Sequence, residues 1–476
     1  MQDTEASTFP SSSSRRAQEE LPHSREYYEG LASYSLHNYP DAINWFQRAI
    51  EKGDPEGHFA LGLLHAVGLG VPQNSHKAAL AYQRAVEGGS VEARYSLGVS
   101  YLHGAGVNKD LDEAVRLFQE AAEKGHAEAC HKLGLMLAKG YGIARDRERA
   151  AHWIRVAAEK GIVDAQHRMV TICSRGDGVP VDMHEAVFWL KKAALEKPAA
   201  QCALAFLHML GLIVPKDCRE AVRLFRQAAQ QRDAEAQYIL GSLYAEGEKV
   251  DKEPILAEHW YSLAAEQGHL RAQFLLAGMY REGQGIERNT AKALHWYQKA
   301  ALKGYADAQH CLGMMYVKGE GVEQDFREAA RWFQQAALQG VAEAQFNLAE
   351  FYRDGSGVLR DSKEALRWYL EAARKGFPQA PYRIGFLYVQ GGNLEADPVK
   401  ACMWFDIAAR LGMDEGATRR DSVAQRLRPE QVESAQRMAT EWMEKELSKT
   451  TTEAKEADAS NPLRALAQED GDILDD

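Results

Sequence analysis

No stretch of this chain is apolar for long enough to cross a membrane as a helix, and no two of its cysteines share a Cys-x-x-Cys spacing. The first absence argues against a membrane-inserted protein. The second, with Cys130, Cys173, Cys202, Cys218, Cys311 and Cys402 scattered singly, argues against a disulfide framework or a thiolate metal cluster and for reduced thiols in a cytosol. Basic charge is not in excess. The formal net charge is −11, and the segment from Glu444 to Asp476, with ten acids against four bases, supplies −6 of it. A footprint for nucleic acid or an anionic membrane is therefore not expected. Catalytic signatures are missing too: the chain has no Gly-x-x-x-x-Gly-Lys-Ser/Thr loop, no His-Glu-x-x-His pair and no Ser-x-x-Lys. No cofactor is expected and no enzyme activity is indicated.

What the chain has is a period. Gly62, Gly98 and Gly134 lie 36 residues apart, and the phase continues through Val170, Ala205, Gly241, Ala277, Gly313, Ala349 and Gly385, with one single-residue slip before Ala205. Repetition at this interval marks a helical solenoid, in which no unit buries its apolar faces alone. Within one period, Ala344, Leu348, Ala349 and Tyr352 form one helical stripe. A turn follows at Gly355-Ser356-Gly357-Val358, and a second stripe runs Ala365, Leu366, Trp368, Tyr369, Ala372, Ala373 to a stop at Gly376. Glycine suits such ends because the residue past a helix is commonly left-handed. Alanine pairs such as Ala336-Ala337 allow close approach, and Trp153, Trp260, Trp296 and Trp332 are expected to fill the space beside them.

The pattern Ala-x-x-x-Leu-Gly-x-x-Tyr-x-x-Gly-x-Gly-Val, then Ala-x-x-Trp-(Phe/Tyr)-x-x-Ala-Ala-x-x-Gly, resembles the Sel-one-like repeat (SLR) family of the tetratricopeptide superfamily. The resemblance covers Tyr27 to Gly412 and ends on DPVKACMWFDIAARLG, similar to the final repeat of bacterial members. The first unit lacks the Gly-x-Gly turn and is closer to an ordinary tetratricopeptide turn. The resemblance implies an all-α, right-handed α/α superhelical solenoid of about eleven 35–36-residue repeats with a C-terminal capping helix. It further implies a non-enzymatic, cytoplasmic scaffold or adaptor that binds a protein or peptide partner in its groove. Some cysteine-rich family members are linked to the cell envelope and to β-lactam binding or hydrolysis, the alternative reading. The unpaired cysteines, and a start (Met1-Gln2-Asp3-Thr4-Glu5) without an apolar secretory region, weigh against it.

A row of equivalent positions supplies the candidate site. Three residues before each marker stand Phe59, Tyr95, His131, His167, Cys202, Tyr238, Phe274, His310, Phe346 and Tyr382. By analogy with tetratricopeptide units this position lies along the concave wall, as do Arg281, Lys318 and Arg353 just after the marker. Aromatic and polar side chains in a row suit an extended peptide or partner helix. Packing between repeats alone would produce the same row. Equivalent histidines on adjacent repeats would stand about 8–10 Å apart, so His131, His167 and His310 are not expected to hold a metal.

The expected organisation is an unstructured segment over 1–24, the solenoid over 25–412, capping helices over 413–447 and a disordered acidic tail over 448–476. The periodic rules lapse in the middle. Lys197 and Arg232 replace the glycine stop, and two turns lose their second glycine, at Ile213 and Lys249. An altered angle between repeats and simple degeneracy are equally compatible with this lapse.

Overall fold

The computed structural model describes residues 22–457, and these form twenty-four α-helices with no strand. Most of the expected N-terminal segment and the last nineteen residues of the acidic tail, 458–476, lie outside the described residues. The helices alternate as hairpins, one hairpin per repeat. They fall into two compact units divided between Ala200 and Gln201, within the stretch where the period slips.

Local chemistry accounts for each hairpin. The first helix of a repeat, for example Ala342–Asp354, ends on a left-handed glycine, Gly355, whose N–H bonds the Phe351 carbonyl. The second helix starts on a carboxylate cap. Asp361 Oδ1 accepts from the Lys363 and Glu364 amides, as Asp325 and Asp217 do in their own repeats. Ser24 caps the first described helix, Arg25–Ser35, and ties it to Asp54 through a 2.7 Å bond.

The marker residue is where the two helices of a hairpin touch. A Cβ on Gly313 would stand 2.7 Å from the Phe333 ring, and one on Gly98 2.8 Å from that of Phe118. The ring seated there is not the predicted tryptophan. Phe333, Tyr297, Tyr369 and Phe118 are at most 2 % exposed, whereas Trp332, Trp296, Trp260 and Trp153 are only half-buried. Neighbouring helical residues point about 100° apart, so the residue after the tryptophan, an aromatic in most repeats and Ile154 beside Trp153, takes the place under the first helix and the tryptophan lies at its margin.

Successive repeats are joined by backbone contacts at the turns and by a buried polar ladder. A Cβ on Gly357 would fall 2.1 Å from the carbonyl oxygen of Phe326, the first residue of the preceding repeat's second helix; Gly106 stands in the same relation to Ser75 in the first unit. The ladder consists of glutamines just before the aromatic row. Gln237, Gln273, Gln309 and Gln345 are buried, and each donates its amide to an alanine carbonyl of the preceding repeat at 2.9–3.1 Å. Gln267 and Gln339, closing the second helices, donate in turn to Gln237 and Gln309 at 2.7 and 2.8 Å. Where lysine closes that helix, at Lys303 and Lys375, the oxygens of Gln273 and Gln345 have no hydrogen-bond partner among the described residues. Lys303→Gln is expected to raise stability by about 0.5–1.5 kcal/mol, read as a higher urea midpoint. An unchanged midpoint would mean that the buried oxygen costs nothing.

The irregular centre keeps the left-handed backbone of the missing glycines at two of the four positions, Ile213 and Arg232, and not at Lys197 or Lys249. Arg232 and Ile213 hold left-handed φ values of 67° and 64°. That conformation costs a side-chain-bearing residue about 1–2 kcal/mol, against about 0.5–1 kcal/mol of extra chain entropy for glycine. Arg232→Gly is thus expected to stabilise by about 0.5–1 kcal/mol in the same measurement, and a loss of stability would contradict the assigned strain. Pro198 opens the helix Pro198–Leu210, at a first-turn position where its missing N–H costs nothing.

At the C-terminus, the helix Pro429–Ala457 lays Ala435 and Ala439, both fully buried, on the last hairpin, and Trp442 meets Trp404 edge-on with ring centroids 5.0 Å apart. This helix continues past residue 447, where the sequence suggested a tail.

Candidate partner-binding face

The first helices each carry an outward row. In Ala342–Asp354 the buried side is Ala344, Gln345, Leu348, Ala349 and Phe351. The remaining Glu343, Phe346, Asn347, Glu350 and Arg353 recur every three to four residues and share the other side. The sequence-predicted aromatic and the basic residue after the marker therefore lie on one face, together with positions the periodic pattern did not mark.

In the second unit this face opens into a cavity of about 520 Å³ whose lining includes His310, Phe346 and Tyr382, three successive members of the row. Met314, Asn347 and Arg383 stand beside them, Phe377 and Met413 floor the next repeats, and Glu343 and Glu415 complete the rim. Asn347 links two helices: its amide nitrogen donates to His310 Nε2 at 3.0 Å and lies 3.5 Å from the Met314 sulfur. Burial lowers the pKa of His310 despite nearby Glu343 and Asp307, so the ring is neutral at pH 7.

Each aromatic of the row also serves packing. Phe346 lies between Tyr369 of its own second helix and Phe377 at the start of the next repeat, at centroid distances of 5.5 and 4.7 Å. Phe274 is placed likewise between Tyr297 and Tyr305. Tyr95 and Tyr238 stack on His126 and His269 at 4.7 and 4.6 Å. Those two histidines cap the next first helix through Nδ1 and reach Glu92 and Glu235 through Nε2 at 3.0 and 2.9 Å. This second column escaped the periodic reading because its chemistry changes from repeat to repeat. Its fixed offset, 31 residues after the aromatic, is the signal that could have found it.

The other predicted residues divide by environment. In the first unit His167 is buried, and burial depresses the pKa of His131 to about 4, so the His131 ring carries no charge at neutral pH. In the second unit Arg281 sits over the Tyr297 ring at 5.8 Å and pairs with Glu282, while exposed Lys318 stands 3.8 Å from Glu320. Arg353 is held by Glu350 and Asp354, both at 2.7 Å, and Glu350 also takes Arg383 at 3.1 Å and the Tyr369 hydroxyl. These candidate cations are thus largely neutralised within the protein. Among the described residues no three His, Cys, Asp or Glu side chains gather as a metal site, and all six cysteines are free thiols.

Hairpins of this length, tiled by a marker glycine and a left-handed turn, define a tetratricopeptide-like helical repeat protein, a fold generally used to bind other proteins. The Sel1 repeat profile matches eleven consecutive segments from residue 24 to residue 413, and the chain belongs to that family. Among solved structures it is similar to a protective antigen of uropathogenic Escherichia coli strains that displays an SLR fold. Identity is 32 % over 94 % of this chain and 97 % of the other, with a TM-score of 0.75. A Sel1 repeat protein from Oxalobacter formigenes is 31 % identical over 64 % of this chain and 89 % of its own, with a TM-score of 0.52. No curated protein sequence gives a significant match. No described helix is long and apolar enough to cross a membrane.

Proposed function

We propose that this protein is a non-catalytic scaffold of bacterial type that holds a protein partner along the outward face of its first helices. The observation that carries the reading is the cavity lined by His310, Phe346 and Tyr382. Side chains from successive repeats meet there, and the aromatic rings supply the large contact area on which binding energy concentrates. Six free thiols fit a reducing, cytoplasmic setting. They leave the envelope-associated, β-lactam reading without a stapled framework, and the sequence offers it no nucleophile motif.

The test is affinity capture with the full chain and with single polar replacements of Tyr238, Phe274 and Phe346, each paired with a thermal melt. Loss of the same captured protein by about tenfold or more in affinity, with the melt retained, is the expected result. Should every loss of binding track a fall in the melt, the row serves packing alone.

A further inference from the structure

The rim of the cavity carries more negative charge than its lining neutralises. Arg383 is the one cation among the lining residues, and it is already paired with Glu350, which also holds Arg353. Glu343, on the first helix of its repeat, and Glu415, on the helix Asp414–Ala424 that follows the last repeat, are exposed and make no ion pair among the described residues. The rings of Phe346, Phe377 and Tyr382 line the same cavity. Aromatic faces attract cations through their quadrupole, and a guanidinium can stack on a ring while donating to a carboxylate in the plane of its own fork. An acidic segment would meet two unscreened carboxylates. A purely apolar one would leave them desolvated without compensation.

We propose that this cavity is a subsite for a basic side chain, arginine above lysine, presented by an extended segment of the protein partner. The inference rests on the first-helix face being the binding face and adds the chemistry of what it takes. Neutral His310 adds no repelling charge to the lining. The stretch of the partner that enters here carries its arginine beside apolar residues, which lie on the ring edges and on Met314 and Met413.

Random dodecapeptides displayed on phage and selected against the full chain test this directly. Selection is repeated against Glu343→Gln/Glu415→Gln, against the charge reversal Glu343→Lys, and against Phe346→Ser, each checked by a thermal melt. The expected result is enrichment of arginine and lysine by the native chain, with the best peptide bound about tenfold more weakly by the double amide variant and lost to Glu343→Lys. Its affinity should also fall as salt rises. Peptides sensitive to Phe346→Ser but carrying no basic excess would overturn the basic-side-chain inference and leave the groove reading standing. No enriched peptide, or enrichment indifferent to Phe346→Ser, would overturn both.

Discussion

Phe333→Ala is expected to cost about 3–5 kcal/mol, felt across the hairpins of residues 306–354 and not as a shift of the whole chain. The ring has no exposed surface and lies under the first helix at Gly313, with Phe351 edge-on at 5.3 Å and His310 at 5.7 Å. Removing it leaves a void between two helices whose approach is set by the glycine, and backbone cannot close inward to fill it. In a repeat array each unit depends on its neighbours, so the loss appears as local opening. Limited proteolysis and amide exchange should show new cleavage and faster exchange in this stretch. Trp332→Ala provides the comparison: the tryptophan is half-buried, so its removal should have a clearly smaller effect. Equal effects would return the tryptophan to the role the sequence suggested for it.

Gly357→Ala should be nearly as damaging, at about 3 kcal/mol or more, combining about 1–2 kcal/mol for the left-handed backbone with about 1–3 kcal/mol of overpacking. Its φ is +71° and the added methyl would stand 2.1 Å from the Phe326 carbonyl oxygen. That atom belongs to the backbone of the preceding repeat, so no side-chain rotation relieves the overlap. Gly376 separates the two terms: its φ is +79°, yet nothing lies within 4 Å of a Cβ built there. Gly376→Ala should therefore cost only the backbone term, about 1–2 kcal/mol. If both substitutions destabilise equally in urea, the turn glycines are conformational devices and the close contact between repeats carries no energy.

Much of this architecture was legible because it repeats. A period of 36 residues, a glycine at the hairpin contact and a Gly-x-Gly turn together specify helix, turn and helix without reference to any relative. The aromatic row was legible too, as was its coincidence with the basic positions after the marker, since residues three and seven apart share a helical face.

Adjacency defeated the choice between Trp332 and Phe333. Both are large and apolar, and a one-residue difference in facing decides which ring meets Gly313. The glutamine ladder was invisible for a different reason. A polar residue beside an aromatic one reads as surface, and only the alanine carbonyl exposed by the preceding repeat makes it a core residue. Asn347 and Glu343 were missed because they lie beside the row and not in it. The residue that follows the row, Ala60, Ser96, Lys132, Arg168, Ala203, Ile239, Leu275, Cys311, Asn347 and Arg383 in successive repeats, varies in chemistry and is buried at Ala60, Ala203 and Ile239. Arg353 and Arg281 looked like free cations because the carboxylates that hold them lie one to three residues away on the same helix.

The central claim is that the first-helix side of the array is the side that binds. It is tested most directly by measuring a captured partner's affinity for Asn347→Asp and Phe346→Ser on the first helix, and for Arg331→Glu and Arg367→Glu on the second helices, whose side chains are exposed on the other side of the hairpin. All four are compared at equal thermal stability. The account predicts that affinity falls for the first pair and is retained within about twofold for the second. Retained affinity in the first pair with loss in the second would place the partner on the opposite side and contradict it.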